Sequence, residues 1–118
     1  MSNAYDAAYA MERAIRSSNE YVELKRLYDL VNADPASKGM FDNFRNIQMM
    51  LQQKQMMGQE ITQEEIEQAQ KTVQLVQQHP TIAQLMEAEQ RMSVVIADLN
   101  KIIMKPLEEL YGLPGQGS

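Results

Sequence analysis

Apolar residues recur at three- and four-residue spacing through nearly the whole chain, the pattern of helices that each bury one face. In residues 3–16 the repeating positions are Ala4, Ala7, Ala8, Met11, Ala14 and Ile15, a face of mostly small side chains that lets another helix come close. Ser17, Ser18 and Asn19 then supply capping oxygens, and the spacing predicts a second helix over residues 20–33, carried by Tyr21, Leu24, Leu27, Tyr28 and Val31. Asp34 and Pro35 end it and start the third, with Asp34 as N-cap and Pro35 at the first helical position, where its missing N–H goes unneeded. Met40, Phe44, Ile47 and Leu51 form the stripe of the third helix, and Gly58 suits the residue just past its end.

The next boundary is the most fully specified. Thr62 and Glu65 make a T-x-x-E capping box, flanked by Ile61 and Ile66 in hydrophobic-staple positions, so a fourth helix begins at Gln63 with Ile66, Ala69, Val73 and Val76 on its face. His79 and Pro80 interrupt the pattern, because proline disfavours helical backbone at the residue before it. A fifth helix follows. Leu85, Glu89, Met92, Ile96, Leu99, Ile103, Pro106 and Leu110 alternate steps of four and three, which is a heptad seam. Pro106 is expected to kink or end the helix near Lys105.

The expected fold is therefore all-α: an elongated bundle of about five helices with coiled-coil-like packing, two of them long at roughly 35 Å each. Residues 1–111 are expected to form a single helical domain and residues 112–118, reading GLPGQGS after the last tyrosine, a flexible tail. One short chain has little with which to cover so long a seam, so part of it is expected to meet a second copy in a homodimer.

The third helix has two apolar faces. At about 100° per residue, Met40, Phe44, Ile47, Met50, Leu51 and Met57 share a core-facing arc, while Phe41, Arg45, Met49, Gln52 and Met56 lie on the other side. That second face is the candidate interaction surface. It either packs on another helix of the same chain, with methionine filling irregular gaps, or meets a partner, since Met, Phe and Arg are enriched in interface cores.

Composition narrows the chemistry. The 118 residues include no cysteine, which removes disulfides, thiolate metal sites and a thiol nucleophile. Met49 and Met56, two thioethers seven residues apart with no histidine near, make a poor copper(I) set, and no metal or other cofactor is expected. No catalytic residue is expected either: Glu64, Glu65 and Glu67 suit the positive end of a helix, and His79, the sole histidine, reads as a cap or surface residue. Glu89 interrupts the seam, either as a registry device or at its solvent edge. Apolar runs are short, and Met1 leads into polar Ser2 and Asn3, so neither a membrane span nor a secretion signal is expected and the cytoplasm is the default compartment. Net charge is −5. Residues 1–57 carry seven basic and seven acidic side chains and residues 58–118 four and nine, the wrong sign for tracking phosphates.

The succession of an alanine-rich first helix, "SSNEYVELKRLYDLVNADP", "FDNFRNIQMMLQQKQMMGQEIT" and "QQHPTIAQLMEAEQRMSVVIADLNKII" resembles the bacterial YlbF/YmcA family, and most of all its YheA-like branch. The resemblance implies a small, cytoplasmic, all-helical, oligomeric protein without enzymatic activity. Some members of that family act together as accessory regulators of a membrane-anchored endoribonuclease, influencing competence, sporulation and biofilm formation. Certain members hold iron–sulfur clusters through cysteines that this chain lacks, so no redox-sensing role follows. The expected function is a non-enzymatic interaction or regulatory module that forms a homo-oligomer and can bind a further protein. The alternative is direct RNA binding by an accessory of RNA processing, through Arg13, Arg16, Lys25 and Arg26.

Overall fold

The structure, a computed structural model, describes residues 3–112, and these form five α-helices with no strand among them. They are α1 (Asn3–Ser17), α2 (Asn19–Ala33), α3 (Pro35–Met56), α4 (Gln63–Gln78) and α5 (Pro80–Tyr111). Each junction follows from its capping chemistry. The Ser18 hydroxyl accepts from the Tyr21 amide, Asp34 accepts from the Ser37 amide, and Thr62 and Glu65 close both halves of the capping box. Single residues therefore separate α1 from α2, α2 from α3 and α4 from α5. Only α3 and α4 are joined by a longer loop, and there Gly58 takes the left-handed conformation, φ 68°, that stops a helix.

The core is built by four helices. Leu27 and Val31 of α2, Phe41 and Phe44 of α3, Val76 of α4, and Ile82, Leu85 and Ala88 of α5 are buried together. Helix α2 runs along the first half of α5, α3 packs on α2 and α4, and α4 returns against α5. Helix α1 contributes no buried residue. The molecule is accordingly extended: its radius of gyration is 18.4 Å, against about 13 Å for a compact chain of this length. It measures 48 × 36 × 25 Å along its principal axes.

Three details depart from expectation. Helix α5 neither ends nor breaks near Lys105 but runs through Pro106 to Tyr111. Proline there removes one bond, to the Ile102 carbonyl, on a stretch where both residues are exposed to water; the actual stop is Gly112, in the left-handed conformation at φ 62°. Second, Phe41 is buried in the core rather than lying on a separate face behind it. Packing against both α2 and α4 widens the buried arc of α3 toward Ser37 and Phe41, while Leu51, one turn past Ile47 toward the end of the helix, is only half-buried. Third, Met57, placed on the core arc from spacing, is the exposed C-cap. Of the tail expected at residues 112–118, all but Gly112 lies outside the described residues.

Candidate interaction surfaces

The polar side chains that most resemble catalytic machinery sit where α3 and α5 begin. Asp34, Ser37 and His79 form a connected set: the Ser37 hydroxyl lies 2.6 Å from Asp34 Oδ2 and 2.8 Å from His79 Nε2. The other ring nitrogen, His79 Nδ1, accepts from the Ile82 amide at 3.3 Å and caps α5. An accepting Nδ1 leaves the ring proton on Nε2 in the neutral imidazole, so His79 donates to Ser37 and Ser37 donates to Asp34. That direction is the reverse of a serine nucleophile handing its proton to a histidine base. Ser37 is buried, and the trio joins two N-caps across 42 residues of sequence. Asp34 is held below the ordinary carboxylate range, first by the Ser37 hydroxyl and then by the Ser37 amide. Asp34 as cap was legible in the sequence; the bridge through Ser37 was not, because tertiary packing makes it.

The candidate residues on α3 separate into two groups. Arg45 stands 5.0 Å from the centroid of the buried Phe41 ring and pairs with Glu89 of α5, tying Phe41 and Arg45 to the body of the molecule. Burial raises the Glu89 carboxyl above its usual range, opposed by the Arg45 charge. Beside this pair runs an open groove of about 680 Å³, bordered by Leu24, Phe44, Met86, Met92 and Ile96. Glu89 thus lies at the edge of the seam with a partner of its own. Met49, Gln52 and Met56 are exposed, Met56 at 81%, and do not share a surface with Phe41.

A larger apolar surface lies elsewhere. The seam of α5 is covered through Leu85 and Met92, then emerges: Ile96, Ile103 and Leu110 are exposed, joined by Ile102, Leu107 and Tyr111. On α1, Tyr5, Tyr9 and Met11 are exposed as well. Spacing found the seam of α5 but not where its cover stops, and the tyrosines of α1 fall outside the small-residue face that spacing picked out.

The four cations of a possible RNA contact do not converge as free charges. Arg16 pairs with Glu12, Lys25 with Asp29 and Arg26 with Glu23, each within its own helix; Arg13 is exposed. Among the described residues no three His, Cys, Asp or Glu side chains gather as a metal site would require, and no helix is long and apolar enough to cross a membrane.

Comparison with known proteins gives this architecture a lineage. Residues 4–108 match the family model described as control of competence regulator ComK, YlbF/YmcA. The UPF0342 protein YheA of Bacillus subtilis is 69% identical over 110 residues, covering 93% of this chain and 94% of that protein. A solved protein of unknown function (DUF964) from Bacillus stearothermophilus superposes with a TM-score of 0.82 at 46% identity, over 93% of this chain and 96% of its own. The solved yheA from Bacillus subtilis gives 0.70 at 56% identity, over 93% and 100%. With nearly the full length matched in both sequence and fold, this chain belongs to the YlbF/YmcA family and resembles its YheA proteins.

Proposed function

We propose that this chain is a non-enzymatic regulatory module of the cytoplasm that acts by protein contact and works as a homo-oligomer, in its simplest form a dimer. The observation that carries this reading is the distribution of apolar surface: among the described residues, large side chains are exposed in rows along α1 and the second half of α5. The family's description, control of a competence regulator, supports a place in regulation. The Asp34, Ser37 and His79 trio supports the non-enzymatic part, since its proton order serves helix capping. Direct RNA binding is the weaker reading, because Arg16, Lys25 and Arg26 are already paired with carboxylates.

The test is transcript profiling in cells lacking the protein, complemented with the wild-type chain or with Ile103→Lys/Leu110→Lys. The wild type should restore the altered profile and the seam variant should not. Identical profiles with and without the protein would overturn the regulatory reading.

A further inference from the structure

The junction between α4 and α5 is held by the one histidine of the chain. The His79 N–H donates to the Val76 carbonyl at 3.2 Å and its carbonyl accepts from the Ala83 amide at 2.9 Å, so its backbone closes α4 and opens α5. The ring does two further things. Nδ1 accepts from the Ile82 amide, and Nε2 lies 2.8 Å from the Ser37 hydroxyl, which itself lies 2.6 Å from Asp34. Ile82 stands in the first turn of α5, where an amide has no acceptor within the helix. Its side chain is fully buried in the core. Nδ1 is therefore the acceptor on which this amide depends.

That role requires a neutral ring, because an imidazolium donates from both nitrogens. A proton on Nδ1 sets two donors against each other and leaves the Ile82 amide without its acceptor, which is costly in a buried place. At Nε2 the effect is the opposite. That nitrogen donates already, and a positive ring strengthens the chain of hydrogen bonds through Ser37 to the Asp34 carboxylate. The two helix ends oppose one another: the carbonyl end of α4 favours a cation at His79, and the amide end of α5 disfavours it.

The charged group that faces the ring is Asp34. Neither the last turns of α2 and α4 nor the first turn of α5 contains an ionisable side chain, and on α3 Lys38 is paired with Asp42 at 2.8 Å. Asp34, held below the ordinary carboxylate range by the Ser37 hydroxyl, is ionised throughout the range in which histidine side chains titrate. His79 is half-buried, within reach of solvent protons.

We propose that His79 is a proton-operated junction. Neutral, it caps α5 through the Ile82 amide; protonated, it releases that amide and tightens its hold on Ser37 and Asp34, so that acidification changes how α5 is fastened to the start of α3. This goes beyond the regulatory reading above and does not depend on it.

Nuclear magnetic resonance of the full chain from pH 8 to pH 5 tests the device, since the single histidine gives a single imidazole signal. At pH 8 the proton should sit on Nε2. On acidification the Ile82 and Ser37 amide shifts should follow the same one-proton curve as the imidazole, and protection of the Ile82 amide should fall about fivefold, as the loss of one cap implies. In His79→Asn, which does not titrate, both amides should stay flat while circular dichroism shows the helices retained. In Ser37→Ala the Ile82 step should persist and the step at position 37 should disappear. A proton on Nδ1 at pH 8, an imidazole that keeps one state throughout the range, or an Ile82 amide that ignores the imidazole titration would overturn the proposal. So would an Ile82 step that survives in His79→Asn.

Discussion

The two halves of α5 carry one hydrophobic pattern and have opposite surroundings. Its first half is sealed by α2, α3 and α4: Ile82 and Leu85 are 0% exposed and Ala88 is 1%. Its second half continues the same steps of four and three into water, and α1 is its counterpart at the other end of the chain. Periodicity fixes which face of a helix is apolar; it says nothing of what covers that face. Cover is decided by chain length and loop length. Short junctions fold α2, α3 and α4 close to the start of α5, and among the described residues no buried side chain lies beyond Met92 of that helix.

The comparison breaks most decisively at Leu85. Leu85→Ala removes a fully buried side chain and should lower stability by about 2 to 5 kcal/mol, measured by urea unfolding. Ile103→Ala, an exposed position on the same seam, should change stability by less than about 0.5 kcal/mol when the protein is dilute enough to be dissociated. Equal losses at both sites would mean that the second half of α5 is core.

A smaller effect is expected at the junction that anchors the covered half. His79→Ala deletes the cap of α5 and the donor to Ser37, and should cost about 1 to 2 kcal/mol of stability. His79→Asn, which supplies a capping oxygen in place of Nδ1, should recover part of that loss. No loss in urea unfolding for the alanine variant would show that the link between the two caps does not matter.

The smallest effect is confined to acid. Lys54 lies 2.5 Å from Glu65, and with the Thr62 amide it holds the Glu65 carboxyl at about 2, below its usual 4.5. A carboxyl depressed by folding stabilises the native state fully above its unfolded pKa, and that contribution disappears as pH falls through the folded value. Part of the acid loss of stability between pH 4.5 and about 2 should therefore vanish in Glu65→Gln. An acid unfolding curve as steep as wild type in that window would contradict this assignment. Because the pair sits at the α3 to α4 loop, association should be unaffected.

Local rules made much of this molecule legible. Thr62 and Glu65, Asp34 and Pro35, and Gly58 mark boundaries because capping and left-handed backbone depend on neighbours in sequence. Phe41 joins the core because α3 is gripped from two sides, which widens its buried arc beyond the single stripe that spacing predicts. Pro106 did not end α5 because an exposed helix tolerates one missing bond, and Gly112 supplied the stop. The Ser37 bridge to His79 joins residues far apart in sequence and had no local signal. On the candidate surface, Arg45 proved to be committed within the molecule to Phe41 and Glu89, while Met49 and Met56 are exposed.

Hydrogen exchange followed as a function of protein concentration tests the central claim most directly, because it reads the two regions in one sample. If a second copy covers the exposed rows, amides of α1 and of residues 100–111 should become protected as concentration rises through the association range, while protection of α2 and of the first half of α5 stays constant. Rows that exchange rapidly at every concentration, while light scattering reports an oligomer, would contradict the account.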